Sequence, residues 1–254
     1  MQPKTVVQPD TVAIVVAGGA GLRFGAPQGK LYISLLDKPI LSWAIKAMIE
    51  APCTAQVVVV IAKNKFDFVE NTVLASLDLT EEQRQRIVLC EGGNTRQESV
   101  MAGLREADRS YPFIAIHDGA RPLFTAEGFR RAKEYLSRIN QIGPEPISGV
   151  VVGHKTTDTL KQVEGCTIVG TPNRSSLWAA ETPQIFVAQD ILKAYQRGQI
   201  DGVLATDDSS LVERLGMKVE LFDAGIPNIK VTLPTDLVVA RALMHSVAGK
   251  GESR

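Results

Sequence analysis

The sequence predicts an α/β domain with a mostly parallel central sheet, and three observations predict it. Short apolar runs alternate with segments of helical period, the pattern of repeated βαβ units. The first run exits into a glycine-rich stretch, as strands of parallel sheets do where they meet a ligand. No internal repeat, low-complexity tract or linker divides the chain, so one domain over residues 1–254 is expected.

Taken in order, Val12 to Ala17, Val57 to Ile61, Ile87 to Cys90 and Phe113 to Ile116 are continuous apolar runs of strand length. Their lack of polar alternation fits strands buried on both faces. Between them, Ile40 to Ile49, Phe66 to Ala75, Thr95 to Ala107 and Ala126 to Ile139 carry the spacing of amphipathic helices. Such helical crossovers make neighbouring strands parallel and place ligands at the strands' carboxyl ends. From about Gly143 the pattern changes. Ile147 to Val152 is β-like and leads into a Thr-, Lys- and Gly-rich excursion, read as a β-arm over about 153–173. Helices are then expected near Ser175 to Ala180, Gln189 to Arg197 and Asp208 to Leu215, a strand at Lys218 to Leu221, and a closing helix from Pro234 to His245.

Composition narrows the function. Lys plus Arg and Asp plus Glu both number 28, so no net field favours nucleic acid or an anionic membrane, and a bound anion must be met by local charges. The longest apolar run, Val57 to Ala62, is too short to span a bilayer, and Met1 to Asp10 lacks the apolar core of a signal peptide. Cys53, Cys90 and Cys166 are odd in number and form no CxxC pair. They read as buried, inert thiols in a reducing cytoplasm.

The chemistry begins at Ala17-Gly18-Gly19-Ala20-Gly21-Leu22-Arg23-Phe24-Gly25, where glycines let backbone amides approach an anionic ligand. A nucleotide phosphate suits such a loop. The dinucleotide fingerprint fails because Phe24 stands where it needs Gly or Ala, and the Walker pattern fails because Leu31 follows Gly29-Lys30. Two cations, Arg23 and Lys30, would instead grip a triphosphate and neutralise charge on a departing pyrophosphate. Asp118 closes an apolar strand, a costly place for a carboxylate unless it meets a metal such as Mg²⁺, a hydroxyl or a cation; Arg121, three residues on, is one such cation. His117 reads as a satisfied strand-end histidine. Lys230, between Ile229 and Val231, needs an anionic partner.

Six segments in order then carry a resemblance across nearly the whole chain. They are the first loop with Arg23 and Lys30; Glu91-Gly92-Gly93-x-x-Arg96-x-x-Ser99-Val100; His117-Asp118-Gly119-Ala120-Arg121-Pro122; Asp158-Thr159-Leu160-Lys161; Leu177-Trp178-x-x-x-Thr182-Pro183-Gln184; and Asn228-Ile229-Lys230-Val231-Thr232, with Thr206-Asp207-Asp208 before the last. The chain from about Val12 to Met244 resembles the 2-C-methyl-D-erythritol 4-phosphate cytidylyltransferases, of the glycosyltransferase-A-like nucleotidyltransferase superfamily.

The resemblance implies a three-layer, Rossmann-like nucleotidyltransferase fold and transfer of CMP from CTP to a sugar-alcohol phosphate, releasing pyrophosphate, with Mg²⁺ or another divalent cation. It implies that Ala17, Gly18, Gly19, Gly21, Gly93, Asn94, Arg96 and Ser99 hold CTP, although Arg96 serves equally as a loop brace and Ser99 as a helix cap. Arg23, Lys30 and Lys230 would be catalytic, stabilising in-line attack on the α-phosphorus, and Lys230 would face that phosphate. Asp118, Arg121, Thr159, Arg174, Thr182 and Thr206 would bind the acceptor. Thr159 and Arg121 would reach a neighbouring subunit through the arm of a homodimer. The Ala17-Gly18-Gly19 loop also occurs in ribitol-5-phosphate cytidylyltransferases, which makes ribitol 5-phosphate the alternative acceptor; Asp158 to Lys161 and Leu177-Trp178 favour methylerythritol phosphate. A sugar-1-phosphate uridylyl- or guanylyltransferase shares the glycine loop but not the Gly93 to Ser99 and Asn228 to Thr232 combination.

Overall fold

In the computed structural model, residues 8–18, 29–225 and 228–251 are described. Seven strands form one sheet, in the order β11 (Val219–Phe222), β7 (Gly149–Lys155), β10 (Trp178–Val187), β6 (Phe113–Asp118), β1 (Thr11–Val16), β4 (Thr54–Ile61) and β5 (Ile87–Glu91). β1 (Thr11–Val16) lies between β4 (Thr54–Ile61) and β6 (Phe113–Asp118), parallel to both, and β5 (Ile87–Glu91) adds parallel to β4. β4, β5 and β6 are the predicted apolar runs extended by one to three residues where ladder bonds carry past the apolar core, and β1 is its predicted run shifted back by one residue.

The sheet is sandwiched because its strands are apolar on both faces. Ala13 and Val15 of β1 point into one core with helix α1 (Ile40–Ile49) and helix α5 (Ala126–Ile142). Val12 and Ile14 point into the other, against α4 (Arg96–Glu106), α6 (Ala188–Ile200) and α7 (Asp208–Arg214). A period of two along one strand therefore feeds two separate cores, giving three layers.

The chain runs outward from β1 through β4 to β5, then returns to place β6 on the other side of β1. That reversal opens a crevice outside the carboxyl ends of β1 and β6, where ligands sit in open α/β sheets. Ala17 and Gly18 follow β1 there, and Asp118 ends β6 there, with Val16 and Asp118 paired in register.

Several segments differ from expectation. The helix expected at Ser175 to Ala180 is absent. Arg174–Ser176 makes one 3₁₀ turn, and Trp178–Val187 is β10, antiparallel to both β6 and β7 (Gly149–Lys155). Trp-Ala-Ala-Glu is locally compatible with a helix, but two open strand edges flank the segment and their ladder bonds outweigh that weak preference. The ladder to β7 skips between Ala180 and Gln184, around Pro183, which has no N–H to give. The helix expected over 66–75 divides into a short α-turn, α2 (Phe66–Phe68), and a π-turn (Val69–Leu74). A small hairpin of β2 (Ser34–Leu35) and β3 (Lys38–Pro39), turning through Leu36 at φ 57, and a capped helix α3 (Glu81–Gln85) were not foreseen.

The arm begins later than expected, because β7 continues through Lys155. Its hairpin is β8 (Gln162–Glu164) and β9 (Thr167–Gly170), turning at Gly165, φ 59. β11 (Val219–Phe222) closes the far sheet edge parallel to β7, and α8 (Pro234–Gly251) ends the described chain. Cys53 is buried and Cys90 half-buried, and burial pushes their thiols up to about 12 and about 11. Cys166 departs from expectation: it is exposed at the arm, where β8–β9 has no core behind it.

Candidate active site

Two loops meet at the strand ends. After β1, the backbone of Gly18 packs so closely on the β5–α4 loop that a Cβ there would stand 3.1 Å from Ser99 Oγ. A Cβ at Gly93 would come within 2.3 Å of Glu98 Cβ. A side chain at Gly18 would press the two loops apart, and one at Gly93 would collide with the first turn of α4 within its own loop.

The second loop is fixed by its own hydrogen bonds. Thr95 caps α4, accepting from Glu98 N at 3.1 Å, and Glu98 Oε2 accepts from Asn94 N at 2.7 Å. Such a capping box satisfies backbone donors that a helix start leaves open. Ser99, read from sequence as either a ligand or a cap, is neither cap nor outward-facing. Its buried hydroxyl donates to Thr95 O at 2.9 Å and accepts from Gly93 N at 3.2 Å, bracing the loop while Thr95 caps the helix. Gly93 and Asn94 remain exposed at the crevice.

The centre of the site is a carboxylate among cations. Asp118 Oδ2 is 2.7 Å from Lys230 Nζ, Oδ1 accepts from Arg96 Nε at 3.2 Å, and Arg121 Nε lies 3.8 Å from Oδ2. Burial alone would push the Asp118 carboxyl up, but Arg96, Lys230 and Arg121 together outweigh it and hold the group well below the usual carboxylate range. Asp118 is therefore ionised at any physiological pH. Of the partners left open by the sequence, cations are the ones it meets.

Arg96 proves to be a brace as well as a cation. Its terminal nitrogens donate to both oxygens of Asp208, at 2.9 and 2.7 Å, and Tyr195 donates its hydroxyl to Asp208 Oδ1. Burial works against the Arg96 charge, yet Asp208 first and Asp118 next hold it firmly protonated. Arg121 is pushed down by burial, opposed by Asp118 and Glu181, and donates to Asn228 O at 2.6 Å.

Below this layer Thr182 Oγ1 accepts from Asp118 N at 2.9 Å and meets His117 Nδ1 at 3.1 Å. His117 Nε2 contacts Arg121 O at 3.2 Å. Burial lowers the His117 pKa to about 4, so the ring is neutral and structural, as its strand-end position suggests. Asn228 Nδ2 donates to Glu181 Oε2 at 2.9 Å and to Thr182 O at 2.7 Å, tying the segment that carries Lys230 to β10.

The structure thus brings together Arg96, Asp118, Arg121, Thr182 and Lys230, which come from four separate stretches of sequence. Lys30 opens a 3₁₀ turn after Gly29, whose φ of 94 suits glycine. Its charge helps, after backbone donation from Leu233 and Thr232, to hold Asp236 low at the start of α8. Thr206 is exposed just before Asp207, which caps α7. Thr159 is exposed on the arm, and Arg174, also exposed, donates to Thr157 O at 3.2 Å. Gly19, Gly21 and Arg23 lie outside the described residues. Among the described residues no group of three or more His, Cys, Asp or Glu could hold a metal ion.

Asp208, Tyr195 and Glu181 were not anticipated as site residues. One signal was present: Asp208, Leu211 and Val212 share the buried face of α7, and an aspartate on an apolar stripe must have a charged partner. Which partner, 112 residues away, no local pattern tells.

The chain matches the family model described as IspD, 2-C-methyl-D-erythritol 4-phosphate cytidylyltransferase, over residues 11–246. It is 38% identical over 234 residues to the protein of that name from Prochlorococcus marinus (strain MIT 9313), covering 91% of this chain and 96% of that one. The Caldanaerobacter subterraneus subsp. tengcongensis protein of the same name is 36% identical, with 92% and 98% covered. Among solved structures, the 4-diphosphocytidyl-2C-methyl-D-erythritol synthase from Anaerococcus prevotii superposes with a TM-score of 0.77 at 26% identity, covering 93% of this chain and 96% of that one.

Proposed function

The chain belongs to the 2-C-methyl-D-erythritol 4-phosphate cytidylyltransferase family, and we propose that the crevice around Asp118 and Lys230 is where this enzyme joins CMP from CTP to the methylerythritol phosphate. The reaction, a step of isoprenoid precursor synthesis, forms a bond from an acceptor phosphate oxygen to the α-phosphorus. It breaks the α–β phosphoanhydride bond and releases pyrophosphate. A phosphate monoester is already anionic near neutral pH, so the acceptor needs no His or Cys base, and the neutral, buried His117 supplies none.

The observation that carries this reading is the Lys230–Asp118 pair at the carboxyl end of β6, where Asp118 stands in register with Val16 at the end of β1. Lys230 is 39% exposed in its side chain, whereas Asp118 and its other cations lie deeper. An incoming phosphate therefore meets Lys230 first, and the ammonium exchanges one anion for another while Arg96 retains Asp118. Lys230, Lys30 and Arg23 stabilise the charge that grows on the transferring and leaving phosphates. Ala17, Gly18, Gly19, Gly21, Gly93 and Asn94 frame the nucleotide, and Ser99 braces the second loop behind them. Thr206 and Arg174 face the acceptor, and Thr159 reaches it from a neighbouring subunit; Arg121 lies beside Asp118 of its own chain, not on the arm that was expected to carry it across, and Thr182 supports Asp118 from below.

The donor set fits a divalent cation in one way: Asp118 as a single carboxylate, with phosphate oxygens and water completing the shell, as Mg²⁺ commonly takes them. Bound there with CTP, the metal would neutralise triphosphate charge. The chain acts as a homodimer in the cytoplasm. In support, the arm exposes Leu160, Val163, Ile168 and Val169, and no described helix is long and apolar enough to cross a membrane.

The test is pyrophosphate release by purified protein with CTP and Mg²⁺, run with methylerythritol 4-phosphate and with ribitol 5-phosphate in parallel. Release with the former alone is expected. Release with ribitol 5-phosphate alone would reassign the acceptor, and release with neither would overturn the proposal.

A further inference from the structure

Asp208 takes no part in the substrate contacts proposed above, yet its geometry reaches the reacting centre. The side chain is fully buried. It receives both terminal nitrogens of Arg96, and the Tyr195 hydroxyl holds one of its oxygens from behind. A guanidinium presents its donors in a rigid planar fork. With NH1 and NH2 committed to Asp208, Arg96 offers Asp118 Nε alone, at 3.2 Å from Oδ1. Asp118 Oδ2 is thereby left to Lys230 at 2.7 Å.

Without that commitment, the most favourable use of the fork is a two-pronged pair with Asp118. Such a pair covers both carboxylate oxygens and competes with Lys230. We propose that Asp208 is a positioning residue for cytidylyl transfer: by holding Arg96 in a bidentate pair, with Tyr195 fixing Asp208, it confines Arg96 to a one-nitrogen contact and keeps Asp118 open to Lys230. The inference rests on Asp118 and Lys230 standing at the reacting centre.

Asp208→Asn, Tyr195→Phe and the double variant Asp208→Asn/Arg96→Lys test it, each assayed for kcat and KM and melted to check folding. Asp208→Asn is expected to lower kcat about tenfold or more with KM for CTP within about twofold. Tyr195→Phe, which keeps the ring in its pocket, should lower kcat about two- to threefold. Lysine cannot make the two-pronged pair, so Arg96→Lys should return part of the turnover lost to Asp208→Asn. A buried ion pair that serves only as scaffold predicts the reverse: melting temperatures fall, kcat of the folded variants stays at the wild-type value, and Arg96→Lys deepens the damage. That pattern would overturn the proposal. Should Asp208→Asn not fold, Tyr195→Phe decides alone, an unchanged kcat counting against it. Lys230→Met serves as the control. Full turnover in that variant sinks the reading of the centre itself, whereas loss there with normal Asp208→Asn and Tyr195→Phe sinks the role of Asp208 only.

Discussion

Lys230 Nζ lies 2.7 Å from Asp118 Oδ2, so the cation proposed for the reacting centre is already held by a carboxylate that three positive groups keep ionised. The lysine is pre-positioned, and the phosphate that displaces Asp118 finds it with little side-chain freedom left to lose. Lys230→Met should therefore lower kcat by about 10² to 10³, with a melting temperature within a few degrees of wild type, because the ammonium is partly exposed. Steady-state pyrophosphate release and thermal melts check both parts.

Asn228 anchors that lysine's segment. It is buried and donates to Glu181 and to Thr182 O. Asn228→Ala leaves a carboxylate oxygen and a carbonyl short of a donor in a dry site, at a cost of about 2–3 kcal/mol. A lower denaturation midpoint and reduced kcat are expected together, since the same bonds fix Lys230.

His117 sets an acid limit of its own. Its folded pKa is about 4 against an ordinary 6.5, and burial is the main cause. As pH falls below 6.5 the unfolded chain takes up a proton that the folded chain refuses, so stability falls between about pH 6.5 and 4. The His117 contribution is about 2 kcal/mol lost from pH 8 to pH 5. Asp118, depressed in the folded state, loses its share only at pH values nearer the ordinary carboxylate range and below. Urea melts of wild type and His117→Asn at pH 8 and 5 should differ by that amount in slope with pH.

Gly103 shows which of two opposed effects wins. Alanine is the better helix former by about 1 kcal/mol, and Gly103 lies inside α4. A Cβ there, however, would stand 2.5 Å from Ile14 Cγ2 and 3.0 Å from Val60 Cγ2, both on buried central strands. Overpacking of this kind costs about 1–3 kcal/mol, so Gly103→Ala should be net destabilising by about 1 kcal/mol in denaturant melts.

The arm carries the assembly prediction. Val163 and Ile168 pair across β8 and β9 and are both exposed. Val163→Asp/Ile168→Asp should leave the fold unchanged by circular dichroism and shift the protein from dimer to monomer in analytical ultracentrifugation. A wild type that sediments as a monomer would remove the arm from the assembly.

The sequence by itself determined the helix-covered, mostly parallel α/β sheet, because buried parallel strands leave continuous apolar runs and their crossover helices a period near 3.6; the limits of α1 coincide with the expected Ile40 to Ile49. It also showed that Asp118, ending an apolar strand, and Lys230, set between Ile229 and Val231 in an irregular segment, each need a partner of opposite charge, and they meet each other. What it could not give was the pairing itself. The start of β10, Trp178 to Ala180, falls in the segment expected as helix because Trp-Ala-Ala has no decisive preference of its own and takes its state from the strand edges on either side. Arg96 stayed open between ligand and brace until the fold set it between Asp118 and Asp208, residues 22 and 112 positions away. Local pattern records which groups must be buried or satisfied; long-range topology alone decides by whom, because hydrogen bonds and ion pairs form across space and leave no periodicity in the chain.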